Sequence, residues 1–189
     1  MVAVELHVPA GVAPKPSIEF HPVPCPYGPV QQFAAGRRAA VAALSSAGST
    51  DRIVPRDPDG RPRFPREFAG SISHTQHLAV AVVVPGVEAV GVDIEDATIS
   101  PRVAAFVLRE RERRTLLPPG GEYTPRDLFA AKEAAFKAMN GAGTLGEFLF
   151  WRIEISPSDD ALIASYDGEP VPVWARSEAG LSFAVAIRR

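Results

Sequence analysis

Three carboxylates and one lysine are the side chains whose types and spacing could support chemistry. Asp93 and Glu95 stand two residues apart at the end of the run AVGVDIED, so in an extended strand both side chains project to one face. Carboxylates aligned in this way repel each other unless protons or a cation lie between them. With Glu133 as a third acid and Lys137 four residues after it, the pattern favours a Mg²⁺ ion held against a pyrophosphate.

Each part of this pattern also has a simpler interpretation. An Asp-x-Glu pair is common at exposed strand ends, and Glu133 with Lys137 has the spacing of an ordinary surface ion pair on a helix. On a helical projection, however, both charges lie at the border of an apolar arc, which is typical of a helix that lines a cleft. Lys132 falls within the arc, where it either bonds a backbone carbonyl or pairs with a carboxylate of the triplet. The arc consists of Leu128, Ala131, Ala135, Phe136 and Met139, with Phe129 beside it.

Lysine is scarce in this sequence, and its distribution is uneven. Arginine is used almost everywhere, whereas the lysines are Lys15, Lys132 and Lys137, two of them in the stretch LFAAKEAAFK. An ammonium group is a compact, mobile point charge, while a guanidinium group is a rigid planar fork. The bias indicates a helix that needs ammonium groups, and chance is the alternative.

The elements that would position these residues alternate between helices and strands, which predicts an α+β fold. The runs LAVAVVV at 78–84 and FAVAIRR at 183–189 are similar, so we expect a duplicated α/β unit with halves 1–95 and 96–189. A cleft between the halves is the expected place for a site. The predicted elements are an edge strand at 17–20, a helix at 30–46, a connector at 49–70, a strand-turn-strand unit at 77–93, helices at 101–116 and 124–140, and strands at 148–155, 162–166, 171–176 and 181–187.

Composition limits the possible functions. The chain of 189 residues is 46% hydrophobic, has a formal charge of −2, and contains no apolar run long enough to cross a membrane. We therefore expect a cytoplasmic protein that binds neither nucleic acid nor membrane, since its N-terminus lacks the features of a signal peptide. Cys25 is the single cysteine, which excludes an internal disulfide and a thiolate metal cluster. Local anion binding remains possible at the connector, which contains Arg52, Arg56, Arg61, Arg63 and Arg66.

The motifs resemble those of a known family. Residues 91–95, GVDIE, followed about forty residues later by FAAKEAAFK at 129–137, resemble the two signature motifs of the 4'-phosphopantetheinyl transferases. The segment GSISH at 70–74 is similar to the stretch before the central hairpin in the larger monomeric members. GRP at 60–62 and GR at 36–37 are similar to segments that contact coenzyme A. These matches stand in the family's order and spacing.

The resemblance implies two similar α/β halves with the active site at their interface, and an enzyme that is a monomer. Its activity would be transfer of the phosphopantetheine arm of coenzyme A to a serine of an apo acyl or peptidyl carrier protein, releasing 3',5'-ADP. Carried over by position, Asp93, Glu95 and Glu133 would hold Mg²⁺, and Glu133 would accept the serine proton directly or through a metal-bound water. Lys137 would balance charge on the leaving group. The nucleotide phosphates would be bound by Arg37, Arg61, Ser73 and His74, together with Lys137.

Several points stay open in the sequence. Val41 stands where a second basic residue is expected on the first helix, and Ala130 stands where the family usually has a hydroxyl. His74 could instead cap a strand, and Arg61 could be a solvated loop cation. The interleaved RERERR stretch indicates a solvated helical face, although the region 102–117 is also a candidate docking surface for an acidic carrier. The competing functions are a non-catalytic module that binds coenzyme A or a nucleotide, and a Mg²⁺-dependent phosphohydrolase.

Overall fold

The computed structural model describes residues 15–140 and 149–189. Within them, the chain forms two antiparallel sheets and four α-helices, which confirms the predicted α+β class. The elements are β1 (Ser17–Pro22), α1 (Pro29–Ser46), β2 (Phe68–His74), β3 (Leu78–Pro85), β4 (Ala89–Glu95), α2 (Pro101–Val107), α3 (Glu110–Leu116), α4 (Pro125–Met139), a 3₁₀ turn (Phe150–Arg152), β5 (Ile153–Pro157), β6 (Leu162–Tyr166), β7 (Glu169–Glu178) and β8 (Leu181–Arg188).

The two sheets pack face to face between two helical layers. The first sheet has the strand order β1-β3-β2 and the second has the order β4-β8-β7-β6-β5. Alternate side chains of β3 separate the layers, because Val80, Val82 and Val84 pack against the second sheet while Ala81 and Val83 pack against α1. The other face of the second sheet packs against α4, with α2 and α3 beside it.

Helix α4 is specified locally. Thr124 accepts a hydrogen bond from the Asp127 backbone, and the Asp127 carboxylate accepts one from the Thr124 backbone, which forms a capping box. The helix is rich in alanine, so it lies close to the sheet. At Gly91 of β4 an added Cβ would overlap the carbonyl oxygen of Ala134, so glycine is required there for α4 to reach its position.

The predicted strand-turn-strand unit does not form a hairpin. β3 pairs with β1 and β2, whereas β4 pairs with β8 in the other sheet. Both strands carry a row of valines or isoleucines on one face, and these rows meet when the strands lie in different layers. The chain therefore passes from the first sheet to the second between Pro85 and Ala89. The predicted division of the chain into halves at residues 95 and 96 remains a prediction.

Other predicted boundaries also need correction. The helix predicted at 101–116 is interrupted, because Leu108 and Arg109 have extended backbone conformations between α2 and α3. The predicted connector ends earlier than expected, since β2 starts at Phe68. The strand expected at 148–155 begins at Ile153 after a 3₁₀ turn, and residue 148 lies outside the described residues. Among the helices of the described ranges, none is long and apolar enough to cross a membrane.

Candidate active site

Asp93 and Lys137 form the centre of the site. Asp93 lies near the end of β4 and is only 2% exposed, and its Oδ1 atom accepts hydrogen bonds from Lys137 Nζ at 2.7 Å and from Ser73 Oγ at 2.7 Å. Lys137 Nζ also donates to the carbonyl oxygen of Val92 at 3.0 Å and to Ser73 Oγ at 3.5 Å. The ammonium group thus joins α4 to β4 and to β2.

Two serines of β2 connect the first sheet to β4. Ser71 Oγ accepts a hydrogen bond from the backbone N–H of Val92 at 3.1 Å, and Ser73 donates to Asp93. β2 and β4 are not paired through backbone hydrogen bonds, and these two serine side chains connect them instead. Because neighbours on a strand alternate between faces, His74 projects away from Asp93, toward the α1 side of the first sheet. Its side chain is exposed.

The two glutamates of the triplet lie in the field of the other acids. Burial raises the pKa of Glu133 to about 7; Asp93 and Glu95 reinforce the shift and Lys137 opposes it. Burial likewise raises the pKa of Glu95 to about 7, with Asp93 and Asp96 adding to the effect. Lys137 Nζ lies 3.7 Å from Glu133 Oε2. The three predicted carboxylates are therefore close enough to influence one another's protonation.

These carboxylates fit a divalent cation by their chemistry. Asp93 Oδ2 is buried without a hydrogen-bond partner, and a buried carboxylate oxygen in that condition is a free ligand for a hard cation. A cation would also offset the repulsion from Asp93, which adds to the effect of burial on the pKa of both glutamates. Across residues 15–140 and 149–189, no group of three or more His, Cys, Asp or Glu side chains is placed to hold a metal ion, so a metal site made by the three predicted carboxylates stays a prediction. Water and substrate oxygens would complete the coordination, as is usual for Mg²⁺.

Lys132 bonds backbone carbonyls, which is the first of the two expected alternatives, and it pairs with an acid outside the triplet. It is fully buried, and Nζ donates to Glu112 Oε2 at 2.8 Å, to the Val107 carbonyl at 3.0 Å and to the Phe150 carbonyl at 3.3 Å. Glu112 also accepts from the backbone N–H groups of Arg109 and Ile155. The acid belongs to the RERERR stretch and is 2% exposed, so the prediction of a wholly solvated face is wrong at this position.

Two of the predicted phosphate contacts, Arg37 and Arg61, lie on α1 and on the loop between α1 and β2. Arg37 lies on α1, where its guanidinium carbon is 4.7 Å from the centre of the Phe33 ring, and it borders an open groove of about 490 Å³. Arg38, Val41 and Arg52 also line this groove, so arginines flank the position of the expected basic residue. Arg61 is held by acids of its own loop and by the carbonyl oxygen of Asn140, at the end of α4.

Comparison with protein-family models identifies the family of the chain. The family model described as the 4'-phosphopantetheinyl transferase N-terminal domain matches residues 30–84. The model of the 4'-phosphopantetheinyl transferase superfamily matches residues 89–187, just over half of the chain. The chain belongs to the 4'-phosphopantetheinyl transferase superfamily. Membership makes it a transferase, and this family transfers 4'-phosphopantetheine. A search of the curated proteins found no match.

Two charged residues near the phosphopantetheinyl transferase motifs were not predicted from the sequence. Arg126 lies two turns before Glu133 on α4, donates to the Asp96 carbonyl, and opposes the raised pKa of Glu95. Its spacing of seven residues from Glu133 was a usable signal for a shared helix face. Glu112, the partner of Lys132, has Leu108 and Leu116 four residues away on either side, and both are buried.

Proposed function

We propose that the chain transfers the 4'-phosphopantetheine arm of coenzyme A to a serine of an apo acyl or peptidyl carrier protein, in a Mg²⁺-dependent reaction that releases 3',5'-ADP. The observation that carries this proposal is the cluster of Asp93 with Lys137 beside two glutamates whose pKa is raised to about 7. A module that only binds a nucleotide has no need for three interacting carboxylates. The presence of both halves in one chain supports the larger monomeric type.

Glu133 is suited to accept the serine proton. A general base works best when its pKa lies near the working pH, and in the absence of a cation burial and the charge of Asp93 raise the pKa of Glu133 to about 7. The serine oxygen would attack the phosphorus that carries the pantetheine arm. The bond from this phosphorus to the bridging oxygen would break, and the electron pair would leave on 3',5'-ADP while the proton moves to Glu133. Atoms and charge balance without a further reactant.

Asp93 and Lys137 would act by position and charge. Phosphoryl transfer depends mainly on in-line alignment and on neutralisation of the charge on the phosphate oxygens. Asp93, Glu95 and Glu133 would hold Mg²⁺, which supplies part of this neutralisation when it is bound. Lys137 is partly exposed and keeps Asp93 oriented through its hydrogen bond, so its ammonium group can face solvent and a ligand phosphate at the same time.

The test is the intact mass of several apo carrier proteins after incubation with coenzyme A and Mg²⁺. Carriers of fatty-acid, polyketide and nonribosomal-peptide synthesis should be compared, and at least one should gain a single phosphopantetheine group. Consumption of coenzyme A at the same rate without a carrier would instead favour a phosphohydrolase. Binding of coenzyme A with neither transfer nor hydrolysis would favour a non-catalytic module.

Glu133→Gln tests the assigned base. It removes the proton acceptor but keeps the shape of the side chain, so we expect a fall in turnover of at least about 10²-fold. Glu169→Gln is a matched control, because Glu169 is an exposed glutamate at the start of β7, outside the candidate docking surface. Transfer by Glu133→Gln at the rate of this control would contradict the role of Glu133.

A further inference from the structure

Arg126, in the first turn of α4, is a fixed cation without an acidic partner among the described residues. Its Nε donates to Ser182 Oγ at 3.0 Å, and its Nη1 donates to the carbonyl oxygen of Asp96 at 3.3 Å. Both acceptors are uncharged, and none of the ion pairs within residues 15–140 and 149–189 includes Arg126. The guanidinium group thus has a defined position, and no acid of the described chain neutralises it.

The serine that orients Arg126 is itself held in place. Ser182 Oγ is fully buried and donates to Asp127 Oδ1 at 2.6 Å, which leaves its lone pairs for Arg126. Asp127 is buried and also accepts hydrogen bonds from the hydroxyl groups of Ser177 and Thr124. Strands β7 and β8 and the start of α4 meet at this carboxylate. Arg126 is therefore positioned by regular secondary structure, so binding a ligand would cost it little conformational entropy.

Arg126 keeps N–H groups free for a ligand. A guanidinium group carries more donors than the two hydrogen bonds of Arg126 use. Nη2 meets no hydrogen-bond acceptor in the part of the chain that the structure describes, and the residue is partly exposed. A planar fork with free N–H groups suits the two oxygens of a carboxylate or of a phosphate.

The two acceptors of Arg126 lie on either side of Glu95. Ser182 is the register partner of Glu95 in the pairing of β4 with β8, and Asp96 is the next residue of the chain. In agreement with this position, the charge of Arg126 opposes the raised pKa of Glu95. The guanidinium group is therefore at the Glu95 end of the carboxylate cluster.

Lys137 is at the other end of the cluster. It donates to the carbonyl oxygen of Val92, whereas Arg126 donates to that of Asp96, four residues later. At about 3.3 Å per residue of an extended chain, these two anchors are about 13 Å apart. A single phosphate group cannot contact both side chains. Arg126 would therefore meet a different anion from the one that Lys137 meets.

The direction of the proposed reaction indicates which anion this is. In an in-line displacement the attacking and the leaving oxygens lie on opposite sides of the phosphorus. Lys137 would balance the charge of the leaving group, and Glu133 would accept the proton of the attacking serine. Lys137 lies one turn after Glu133 on α4, and Arg126 lies two turns before it. The protein that carries the serine would then approach on the Arg126 side of Glu133.

We propose that Arg126 recognises the acceptor protein, and that its free N–H groups bind a carboxylate of an acidic carrier close to the serine that is modified. The inference rests on the proposed function and adds a contact on the acceptor side. A carboxylate fits the planar fork, and a cation without an acidic partner attracts an acidic protein. Arg126 lies outside the candidate docking surface at 102–117, so it would be a separate contact.

The test is steady-state kinetics of the full chain with an apo carrier that the wild type modifies. Arg126→Gln should raise the KM for the carrier about tenfold and leave the KM for coenzyme A unchanged. The difference in carrier KM between the wild type and Arg126→Gln should shrink as the salt concentration rises. Arg176→Gln is the control, because Arg176 is an exposed arginine of β7 whose neighbour Ser177 faces α4, so Arg176 projects to the other face of the sheet.

The other outcomes would overturn this contact. An equal rise of both KM values would mean that Arg126 supports the end of β4 as a whole, and a fall in kcat alone would mean that it acts through Glu95. A difference in carrier KM that does not depend on salt would exclude a charged contact. If the wild type modifies a carrier and Arg126→Gln behaves like Arg176→Gln, the contact fails alone. If the wild type modifies no carrier, the proposed function fails and the contact fails with it.

Discussion

Gly91→Ala should inactivate the protein by moving α4 away from β4. The added Cβ would overlap the Ala134 carbonyl oxygen and would lie 2.7 Å from the Ala138 nitrogen and 2.9 Å from the Ala134 carbonyl carbon. Ordinary contacts between carbon and oxygen begin at about 3.3 Å, so the helix must withdraw by about 1 Å or more. Glu133 and Lys137 lie on either side of Ala134 and would move with it.

The cost of this movement falls on catalysis more than on folding. A misplacement of about 1 Å at a reacting centre can lower activity about 10²-fold, whereas overpacking in a core typically costs about 1–3 kcal/mol of stability. We therefore expect a chain that still folds, by circular dichroism and thermal unfolding, but transfers phosphopantetheine about 10²-fold more slowly. Trimming Ala134 to glycine should not restore activity, because the overlap involves its backbone carbonyl.

Gly28→Ala provides the matched control for Gly91→Ala. Its added Cβ would meet the flexible end of Gln31 at 3.2 Å, at the start of α1 and away from the carboxylates. The control should transfer phosphopantetheine normally. Full activity of Gly91→Ala would refute the reasoning, since the position of α4 would then not determine the geometry of the site.

Three further predictions concern the charged groups. Lys137→Arg should lower kcat at saturating coenzyme A at least about tenfold, because three acceptors converge on the ammonium group and a planar fork cannot meet them; wild-type kcat would show that positive charge alone suffices. Lys132→Met should destabilise the protein by about 3–5 kcal/mol in urea unfolding, because it leaves Glu112 buried without a cation. The double variant Lys132→Met/Glu112→Gln should recover part of the lost stability; a loss equal to the sum of the two single-variant losses would contradict the pairing of Lys132 with Glu112. Without divalent ions, stability should fall as the pH rises from about 4.5 to about 7, because Glu95 and Glu133 have a pKa near 7 in the folded chain and bind more protons there than in the unfolded chain. Thermal unfolding should show a smaller fall for Glu133→Gln, and Mg²⁺ should stabilise the wild type more at pH 7.5 than at pH 5; equal stabilisation at both pH values would count against the carboxylate cluster.

The features that follow from local sequence were predictable. The capping box at Thr124, the edge strand β1 and the apolar arc of α4 depend on residues within one turn or one strand. The proximity of Asp93 and Lys137 could also be predicted, because the two residues belong to short motifs, GVDIE and FAAKEAAFK, that stand about forty residues apart. Such features depend little on how the remaining chain folds.

The pairing of strands was not predictable in the same way. β3 and β4 are both apolar and are joined by a Pro-Gly turn, which is equally compatible with a hairpin and with a step between layers. The choice depends on β8, almost a hundred residues later, which pairs with β4. A pattern within one segment contains no information about that distant partner.

The roles of individual charges were also hidden in the sequence. Glu112 stands among exposed arginines and glutamates, and only the buried leucines four residues away on each side distinguish it. Arg61 and Arg56 are similar in sequence but differ in the structure, since only Arg61 has acidic partners. The stretch DPDGR at 57–61 accounts for this difference, because its aspartates Asp57 and Asp59 form the ion pairs with Arg61.

The burial of the two helix lysines has a practical consequence for labelling. Lys15 is exposed, Lys137 is about 31% exposed at its side chain, and Lys132 is fully enclosed. An amine-reactive reagent would therefore modify Lys15 readily, Lys137 slowly, and Lys132 only after unfolding. Because these are the only lysine side chains of the sequence, a ligand that shields Lys137 from the reagent would lower the labelled mass by one label, and that change would report occupancy of the site.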